Sequence, residues 1–330
     1  MADSLNEKII KKIQNAISDE ILPLFPVSPI RKISIPGFSN IWIKDESVQE
    51  TGTHKDRMAW EIILTYLDIL KNDKNSMLPK FSIISAGSAA LAIQTQFRKY
   101  GLPNLKILVD VNTNHLILDY LKSLGCEIYK TELSEKILFP EDILRLTDNF
   151  DGFDITSNKS FDPSIRFYDW MSYEILNENP DYIFVPFGTG NLFENIINTC
   201  KEIASGQAAK TVYSGDSWKI SKINILGGTT NDKNSKAIKL FAPFRPFTSA
   251  DQGWVRLASK RGLCGIKSAV KEIEEKILEK AFELMVSQGF ACEYSATAGL
   301  ASFLQEKQSI PPDAKVIIVS TGKAKLPFNL

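Results

Sequence analysis

Hydrophobic positions along this chain follow two alternating patterns, one typical of helices and the other of short strands. Near the start, apolar residues at helical spacing predict an amphipathic helix; they are Ile9, Ile10, Ile13, Ala16 and Ile17. Short apolar runs then predict strands at 41–43, 81–84, 106–111, 127–129, 182–186, 222–226, 290–293 and 315–320. The segments between them predict helices at 55–70, 88–100, 114–124, 141–148, 166–176, 192–204, 270–287 and 296–307.

This order of elements favours an α/β fold with open, mostly parallel sheets covered by helices, because strands alternate with helix-length segments. In such sheets, ligands bind beyond the carboxyl ends of the strands, where the next helices begin. The turns that follow strands are therefore the places to look for chemistry. Three prolines at 23–29 predict a loop, and the irregular stretches 205–216 and 227–253 predict surface loops.

Composition and charge exclude several classes of protein. The 330 residues are 44% hydrophobic and 24% charged, which is ordinary for a globular chain and excludes disorder or a coiled coil as the main architecture. Basic and acidic residues both number 39, so the formal net charge is zero. Since nucleic-acid binding proteins carry a basic surface, we expect no nucleic-acid partner.

The cysteines and the N-terminal segment indicate whether the protein binds a metal and in which compartment it works. The cysteines are scattered, at Cys126, Cys200, Cys264 and Cys292, and there are only two histidines. This argues against a structural zinc site and fits a reducing compartment. The N-terminal residues carry acidic side chains, unlike a targeting peptide, and no run approaches the roughly 18 apolar residues of a membrane span. We expect a cytoplasmic protein with no membrane contact and no bound metal.

Four turns are rich in small or polar residues: 51–57 (TGTHKDR), 85–90 (SAGSAA), 186–192 (PFGTGNL) and 317–323 (IIVSTGK). Taken singly, each has an ordinary structural explanation, such as a solvated lysine, a tight turn or a strand end. The second turn leaves backbone N–H groups at a helix start that suit a carboxylate. The third suits a phosphate, because glycine lets the backbone approach and the helix dipole favours an anion. It is neither a Walker loop nor a full G-x-G-x-x-G fingerprint.

Together and in this order, these segments resemble the pyridoxal-phosphate (PLP) enzymes of fold type II. This family contains threonine synthase, cysteine synthase, the serine/threonine dehydratases and the tryptophan synthase β chain. Residues 44–46 (KDE) and 51–57 resemble its "KDE…NPTGSFKDR" signature, and 292–298 (CEYSATA) resembles its "EPSSAA" segment. The resemblance runs from about residue 41 to 324. Within the family, the segments 158–175 and 320–325 look most similar to those of threonine synthases.

The resemblance implies PLP as the cofactor and Lys55 as the Schiff-base lysine that carries it. Residues that match the family's other cofactor contacts are Ser88, Gly188, Thr189, Gly190, Asn191, Leu192 and Thr321. Residues that match its loop for the substrate carboxylate are Ser85, Ala86, Gly87, Ser88 and Ala89. The hydroxyl at the pyridine nitrogen maps to Thr321 or its neighbour Ser320.

The resemblance also implies a domain organisation. We expect a smaller α/β domain at 45–157 that carries Lys55 and the carboxylate loop, and a larger one formed by 1–44 and 158–330, with the cofactor between them. We also expect an amino-acid substrate and a homodimer. Three features depart from the family pattern: Ser88 replaces an asparagine, the glycine loop is one residue short, and His54 precedes the lysine.

A hydroxyl at the ring nitrogen is a weak acid partner, which favours elimination and replacement over transamination. The resemblance to threonine synthases implies such a reaction on O-phosphohomoserine, with Lys159, Arg166 and Lys323 as candidates for a second anion site. A serine/threonine dehydratase or a cysteine synthase-like enzyme is an open alternative. A non-catalytic PLP-binding protein is a second one.

Overall fold

The computed structural model describes residues 5–15, 27–72, 77–85, 87–133, 138–156, 167–207, 213–241 and 267–328. In chain order, its helices and strands are α1 (Leu5–Asn15), β1 (Ile30–Ile35), β2 (Phe38–Asp45), α2 (Lys55–Asn72), β3 (Phe81–Ile84), α3 (Ser88–Tyr100), β4 (Lys106–Asp110), α4 (His115–Leu124), β5 (Glu127–Thr131), α5 (Pro140–Leu146), β6 (Phe153–Asp154), α6 (Asp169–Leu176), β7 (Tyr182–Pro186), α7 (Asn191–Ala204), α8 (Ser217–Ile220), β8 (Asn224–Thr229), β9 (Lys267–Glu272), α9 (Glu275–Ser287), α10 (Ala298–Glu306) and β10 (Val316–Ser320). The predicted α/β class, with mostly parallel sheets covered by helices, is confirmed.

The first of two compact units takes its residues from Met1–Pro26, His54–Phe167 and Leu326–Leu330. Its sheet contains four parallel strands in the order β5-β4-β3-β6. The rings of Tyr66, Phe81 and Phe97 pack together in its core, with centroids 4.7 to 6.0 Å apart. These contacts join α2, β3 and α3, the elements that flank two of the predicted functional turns.

Helix α1 belongs to this first unit, whereas the sequence analysis assigned it to the larger domain. It packs on α2 and α3 and buries Ile9, Ile10 and Ile13. The apolar face predicted from its periodicity is therefore real, but it is covered by helices from later in the chain. The two other residues of that pattern, Ala16 and Ile17, lie outside the described residues.

The second unit takes its residues from Val27–Thr53 and Tyr168–Lys325. Its six-stranded sheet has the order β1-β2-β10-β7-β8-β9, and it is parallel except for the antiparallel pair β1–β2. Helices α9 and α10 cover one face, where Phe184 and Ile318 of the sheet meet Ala281 and Phe303 in a buried cluster. This topology places the carboxyl ends of β2, β10, β7 and β8 along one edge.

The predicted strand at 290–293 is wrong. Residues 290–293 form no strand and lead into a 3-10 turn at Tyr294–Thr297. Phe290 and Cys292 are buried because they pack in the cluster beneath α9 and α10, not because they pair with a neighbouring strand. The apolar residues of this segment predict a strand, but packing against helices produces the same run of apolar residues.

Three strands were missed in the sequence. The first, β1, follows the proline-rich stretch that predicted a loop, and β6 has only two residues. The third, β9, is a mostly polar edge strand, so the predicted helix at 270–287 begins later, at Glu275. The loop predicted at 227–253 is also wrong for residues 227–229, which complete β8. Residues 242–253 lie outside the described part of the chain.

Neither a membrane span nor a metal cluster is found in the part of the chain that the structure describes. None of its helices is long and apolar enough to cross a membrane. In those same residues, no group of three or more His, Cys, Asp or Glu side chains is placed to share a metal ion. The three described cysteines, Cys126, Cys200 and Cys292, are buried free thiols, and Cys264 lies outside the described residues.

Candidate cofactor site

Lys55 is the first residue of α2, an 18-residue helix, and its side chain is half-buried. The loop that precedes it is fixed by buried residues, because Thr51 and Thr53 are almost fully enclosed. Within the loop, Gly52 adopts a φ of +88°, which a residue with a side chain rarely does. The lysine therefore sits at the start of a rigid helix, at the end of a tightly packed turn.

The carboxylate loop follows β3 and ends at the N-terminus of α3. The Ser85 hydroxyl accepts hydrogen bonds from the N–H groups of Gly87 and Ala90, both at 3.3 Å. Gly87 is the N-cap of α3, and Ser88 is the first residue of that helix and is half-buried. Ala89 is buried, and Ala86 lies outside the described residues. Ser85 thus organises the turn from within, a role that differs from direct contact with a substrate.

The glycine turn at 188–192 connects β7 to the N-terminus of α7. Gly190 is the N-cap with a φ of +86°, and its carbonyl accepts a hydrogen bond from the Glu194 N–H at 2.8 Å. Thr189 is exposed, Gly188, Gly190 and Asn191 are half-buried, and Leu192 is buried. The turn therefore presents accessible backbone groups at a helix start, while the Leu192 side chain anchors it in the core.

The two glycines of this turn differ in the room that they leave for a side chain. A Cβ atom on Gly190 would lie 3.1 Å from the Phe187 ring, and one on Gly188 would lie 3.4 Å from the Leu240 backbone. The segment that covers Gly188 is held by an ion pair between Lys239 and the Glu293 carboxylate. Glycine is favoured at position 190 both by its positive φ and by the close Phe187 ring, whereas a Cβ at position 188 would make ordinary contacts.

The end of β10 distinguishes between the two candidate hydroxyls. Ser320 is buried, and its hydroxyl has no hydrogen-bond partner among the described residues. Thr321 is half-buried, so its side chain can be reached by a small molecule. A group that contacts a ligand must be accessible when the ligand is absent. This favours Thr321 over Ser320 as a ligand contact.

Residues Lys44, Asp45 and Glu46, the KDE segment of the family signature, form a buried polar network. The Lys44 ammonium donates to the Ser28 carbonyl at 2.7 Å and to the Glu174 carboxylate. Their further contacts are Arg31 to Asp45 at 2.8 Å, Ser47 to Asp45, Ser28 to Glu46 and Gln49 to Glu46 at 3.2 Å. The signal was present as the KDE motif, and the structure shows that it builds the base of the loop before Lys55.

The remaining predicted residues are divided between the two units, and two of them lie outside the described residues. β10 lies between β2 and β7, so the end of β2, Thr321 and the glycine turn share one edge of the second unit's sheet. Lys55 and the carboxylate loop belong to the first unit, where α2 packs on α3. Of the second-anion candidates, Lys323 is exposed, whereas Lys159 and Arg166 lie outside the described residues.

Cys292, next to the network, is not a reactive thiol. Burial raises its pKa to about 12, and the nearby Asp45 and Glu293 carboxylates raise it while Lys323 lowers it. A thiol with such a pKa is protonated at neutral pH and is a poor nucleophile.

Comparison with known proteins decides the family. The family described as pyridoxal-phosphate dependent enzyme matches residues 23–322. This chain belongs to that family. Its cofactor is pyridoxal 5'-phosphate, and it is a fold type II member of the broad group that includes threonine synthases, threonine deaminases, serine racemases and cysteine synthases.

Individual relatives of this PLP-dependent family member are distant. A threonine synthase from Synechocystis sp. is 24% identical, over 91% of this chain and 75% of the synthase. The processed threonine deaminase isoform 2 from Solanum lycopersicum has a TM-score of 0.62 at 16% identity, covering 99% of this chain and 86% of the deaminase. Maize serine racemase has a TM-score of 0.63 at 19% identity, covering 96% of this chain and 94% of the racemase. These likenesses show a shared fold and leave the reaction open.

The described residues fit PLP by the chemistry of their donors. The turn at 186–192 offers backbone N–H groups and the exposed Thr189 hydroxyl at a helix N-terminus, with no carboxylate in the turn, as a phosphate requires. Lys55 supplies an amine and Thr321 a hydroxyl, and both are accessible. Each unit therefore presents groups whose chemistry suits PLP.

Proposed function

We propose that this protein catalyses elimination and replacement on an amino-acid substrate, and that its reaction converts O-phosphohomoserine and water to threonine and inorganic phosphate. The observation that carries the reaction class is the half-buried Thr321 at the end of β10, which offers a neutral hydroxyl and not a carboxylate. The similarity to the Synechocystis threonine synthase supports the choice of substrate.

The cofactor, when bound, supplies an electron sink for a carbanion at the substrate Cα. Lys55 would hold it covalently and then, as a free amine, take the proton from that Cα and return it later in the reaction. As the first residue of α2, Lys55 has its backbone fixed by the helix and by the buried turn before it. No other residue of α2 is proposed to move a proton.

The anionic groups would be bound mainly by backbone N–H groups. The residues from Gly188 to Leu192 would hold the cofactor phosphate, with the Thr189 hydroxyl as a further donor. The loop from Ser85 to Ala89 would hold the substrate carboxylate, with the Ser85 hydroxyl fixing the loop's shape. Helix dipoles favour a negative charge at both places.

A hydroxyl at position 321 suits elimination because it is a neutral partner. It would hold the ring nitrogen without protonating it, whereas a carboxylate there would stabilise a protonated, positively charged nitrogen, which makes the ring a stronger electron sink. Ser88 replaces the family's asparagine and is too short to reach as far, so we propose that it contributes mainly its backbone N–H. Lys323 would help bind the substrate phosphate.

Three alternatives use the same site. They are a serine/threonine dehydratase, a cysteine synthase-like β-replacement enzyme, and a non-catalytic PLP-binding protein. We also propose that the protein is a homodimer and acts in the cytoplasm.

A substrate panel tests the proposal. The PLP-loaded protein is incubated with O-phosphohomoserine, with L-serine, with L-threonine, and with O-acetylserine plus sulfide. Equal amounts of threonine and inorganic phosphate from O-phosphohomoserine are expected. Oxo acid from serine or threonine, or cysteine from the last mixture, would instead identify a dehydratase or a cysteine synthase. No product from any substrate, with PLP bound, would support the non-catalytic alternative. Lys55→Ala serves as the inactive control.

A further inference from the structure

Two segments from distant parts of the sequence run antiparallel beside the cofactor-binding residues of the second unit. Thr53 forms a β-bridge with Gly322, the Lys323 N–H donates to the Gly52 carbonyl at 2.9 Å, and the Lys325 N–H donates to the Thr51 carbonyl at 2.9 Å. We call residues 51–53 and 322–325 the clamp. One segment ends two residues before Lys55, and the other begins directly after Thr321.

The clamp requires a glycine on each side. Gly52 and Gly322 have φ values of +88° and +89°. A Cβ atom on Gly52 would lie 2.2 Å from the Lys323 carbonyl oxygen, and one on Gly322 would lie 2.2 Å from the Gly52 carbonyl oxygen. Backbone packs directly on backbone, so the two segments have little freedom to shift against each other.

The side chain of Lys325 extends the clamp toward the start of the loop. Its ammonium donates to the Gln49 carbonyl at 2.7 Å and to the Glu50 carbonyl at 3.2 Å. Its Cγ lies 3.0 Å from where a Cβ on Gly52 would be. A hydrogen bond from a charged group is stronger than a neutral one, and both acceptors lie in the turn that leads to Thr51.

The other end of the loop is held by different residues. The Asp45 carboxylate accepts from the Ser47 N–H at 3.0 Å, and Glu46 accepts from Gln49 Nε2 at 3.2 Å. The loop from 46 to 53 is therefore tied at its base by carboxylates, and from residue 49 onward by Lys323 and Lys325. Of these two, Lys325 is the one whose ammonium takes part.

We infer that Lys325 is a positioning residue for Lys55. It acts through the backbone of residues 49–53, which it holds in the single conformation that starts α2 with the Lys55 amine in place. This inference rests on the proposed role of Lys55 as the cofactor lysine. Lys325 itself touches neither the cofactor nor the substrate in this account.

Amide hydrogen exchange on the cofactor-free protein tests the inference without reference to activity. Lys325→Met keeps the aliphatic stem and removes the ammonium. We expect exchange in peptides covering residues 49–58 to rise about tenfold, because a hydrogen bond to a charged group contributes at least that factor to a local equilibrium. Lys325→Arg should restore most of the protection. Lys307→Met, at an exposed lysine on the 3-10 turn after α10, should change nothing.

Titration with PLP links the loop to the cofactor. In Lys325→Met, PLP affinity should fall several-fold and the absorbance maximum of the bound cofactor should shift, while Lys325→Arg should resemble the wild type. Equal exchange and equal PLP affinity in wild type and Lys325→Met would overturn the inference. So would increased exchange spread evenly over the whole chain, because it would indicate general destabilisation. A wild-type protein that fails to bind PLP would contradict the proposed function instead, and the exchange experiment would still decide whether Lys325 holds the loop.

Discussion

Gly190 illustrates how a single residue shapes the phosphate turn. It takes a positive φ at the N-cap of α7 and lies against the Phe187 ring, so it fixes the direction in which the following N–H groups point. The sequence identified this turn correctly as a strand-to-helix connection. It did not reveal that Leu192 is an anchor in the core, because a leucine after a glycine turn has the same pattern in either role.

Replacing Gly190 should weaken cofactor binding in addition to destabilising the fold. In Gly190→Ala, the Cβ would meet the Phe187 ring at 3.1 Å and strain the turn. We expect PLP affinity to fall about tenfold, equivalent to about 1.4 kcal/mol. Fluorescence titration with PLP measures this.

Gly206→Ala is the matched control for this variant. Gly206 also has a positive φ, +72°, but a Cβ there meets nothing within 4 Å. Gly206→Ala should lower the free energy of unfolding about as much as Gly190→Ala does, and it should leave PLP affinity unchanged. Equal PLP affinity in the two variants would contradict the assignment of the turn.

The hydroxyl at the end of β10 shows where sequence reasoning stops at the residue scale. Ser320 and Thr321 are adjacent and chemically similar, so the sequence could not separate them. Burial separates them, since Ser320 is enclosed and Thr321 is half-buried. Burial at a strand end depends on neighbours from β2 and from the 3-10 turn at Tyr294–Thr297, which no local pattern reveals.

At the scale of elements, buried central strands were predicted well and edges poorly. β4, β7 and β10 are runs of buried apolar residues, and each appears as such in the sequence. β1 and β9 lie at the two edges of their sheet, where polar residues are tolerated and the apolar signal weakens. These edge strands are held by hydrogen bonds between backbone groups, which the pattern of side chains does not reveal.

The crossing of Gly52 and Gly322 gives an element-scale prediction. In Gly322→Ala, the new Cβ would lie 2.2 Å from the Gly52 carbonyl oxygen, so the two segments would have to separate. The alanine would also be strained by the φ of +89°. We expect the free energy of unfolding to fall by roughly 3 kcal/mol or more. Urea unfolding followed by circular dichroism measures the loss.

Gly37→Ala isolates the contribution of φ alone. Gly37 has a φ of +87°, and a Cβ there meets nothing within 4 Å. It should cost only the backbone strain of about 1 to 2 kcal/mol. If Gly322→Ala costs no more than Gly37→Ala, the close packing of the two segments is not a constraint.

At the scale of the whole molecule, the candidate functional turns follow the ends of strands, and the described cysteines are buried. Burial raises the pKa of Cys126 and of Cys200 to about 12. The class of fold was predictable because strands and helices alternate along the entire chain. The membership of α1 was not, because a helix with one apolar face can pack on either unit.

Buried thiols make stability sensitive to alkaline pH. The pKa of Cys200 is raised to about 12 in the folded protein, against about 8.5 in an unfolded chain. Its contribution to stability is therefore complete below about pH 8.5 and is lost as pH rises toward 12. Above about pH 9.5, the free energy of unfolding of the wild type should fall more steeply than that of Cys200→Ala, by about 1.4 kcal/mol per pH unit.

Urea unfolding of both proteins across this pH range checks the prediction, and each protein's value at neutral pH serves as its own reference. Parallel curves for the two proteins would show that Cys200 does not remain protonated in the folded state.

One chemical experiment tests directly whether Lys55 carries the cofactor. The protein is loaded with PLP, reduced with sodium borohydride, digested, and mapped by mass spectrometry. The account predicts a stable pyridoxyl-phosphate adduct on Lys55, its loss in Lys55→Ala, and its retention in Lys71→Ala, which changes a lysine in the last turn of the same helix. An adduct on another lysine, or persistence of specific labelling in Lys55→Ala, would contradict the account.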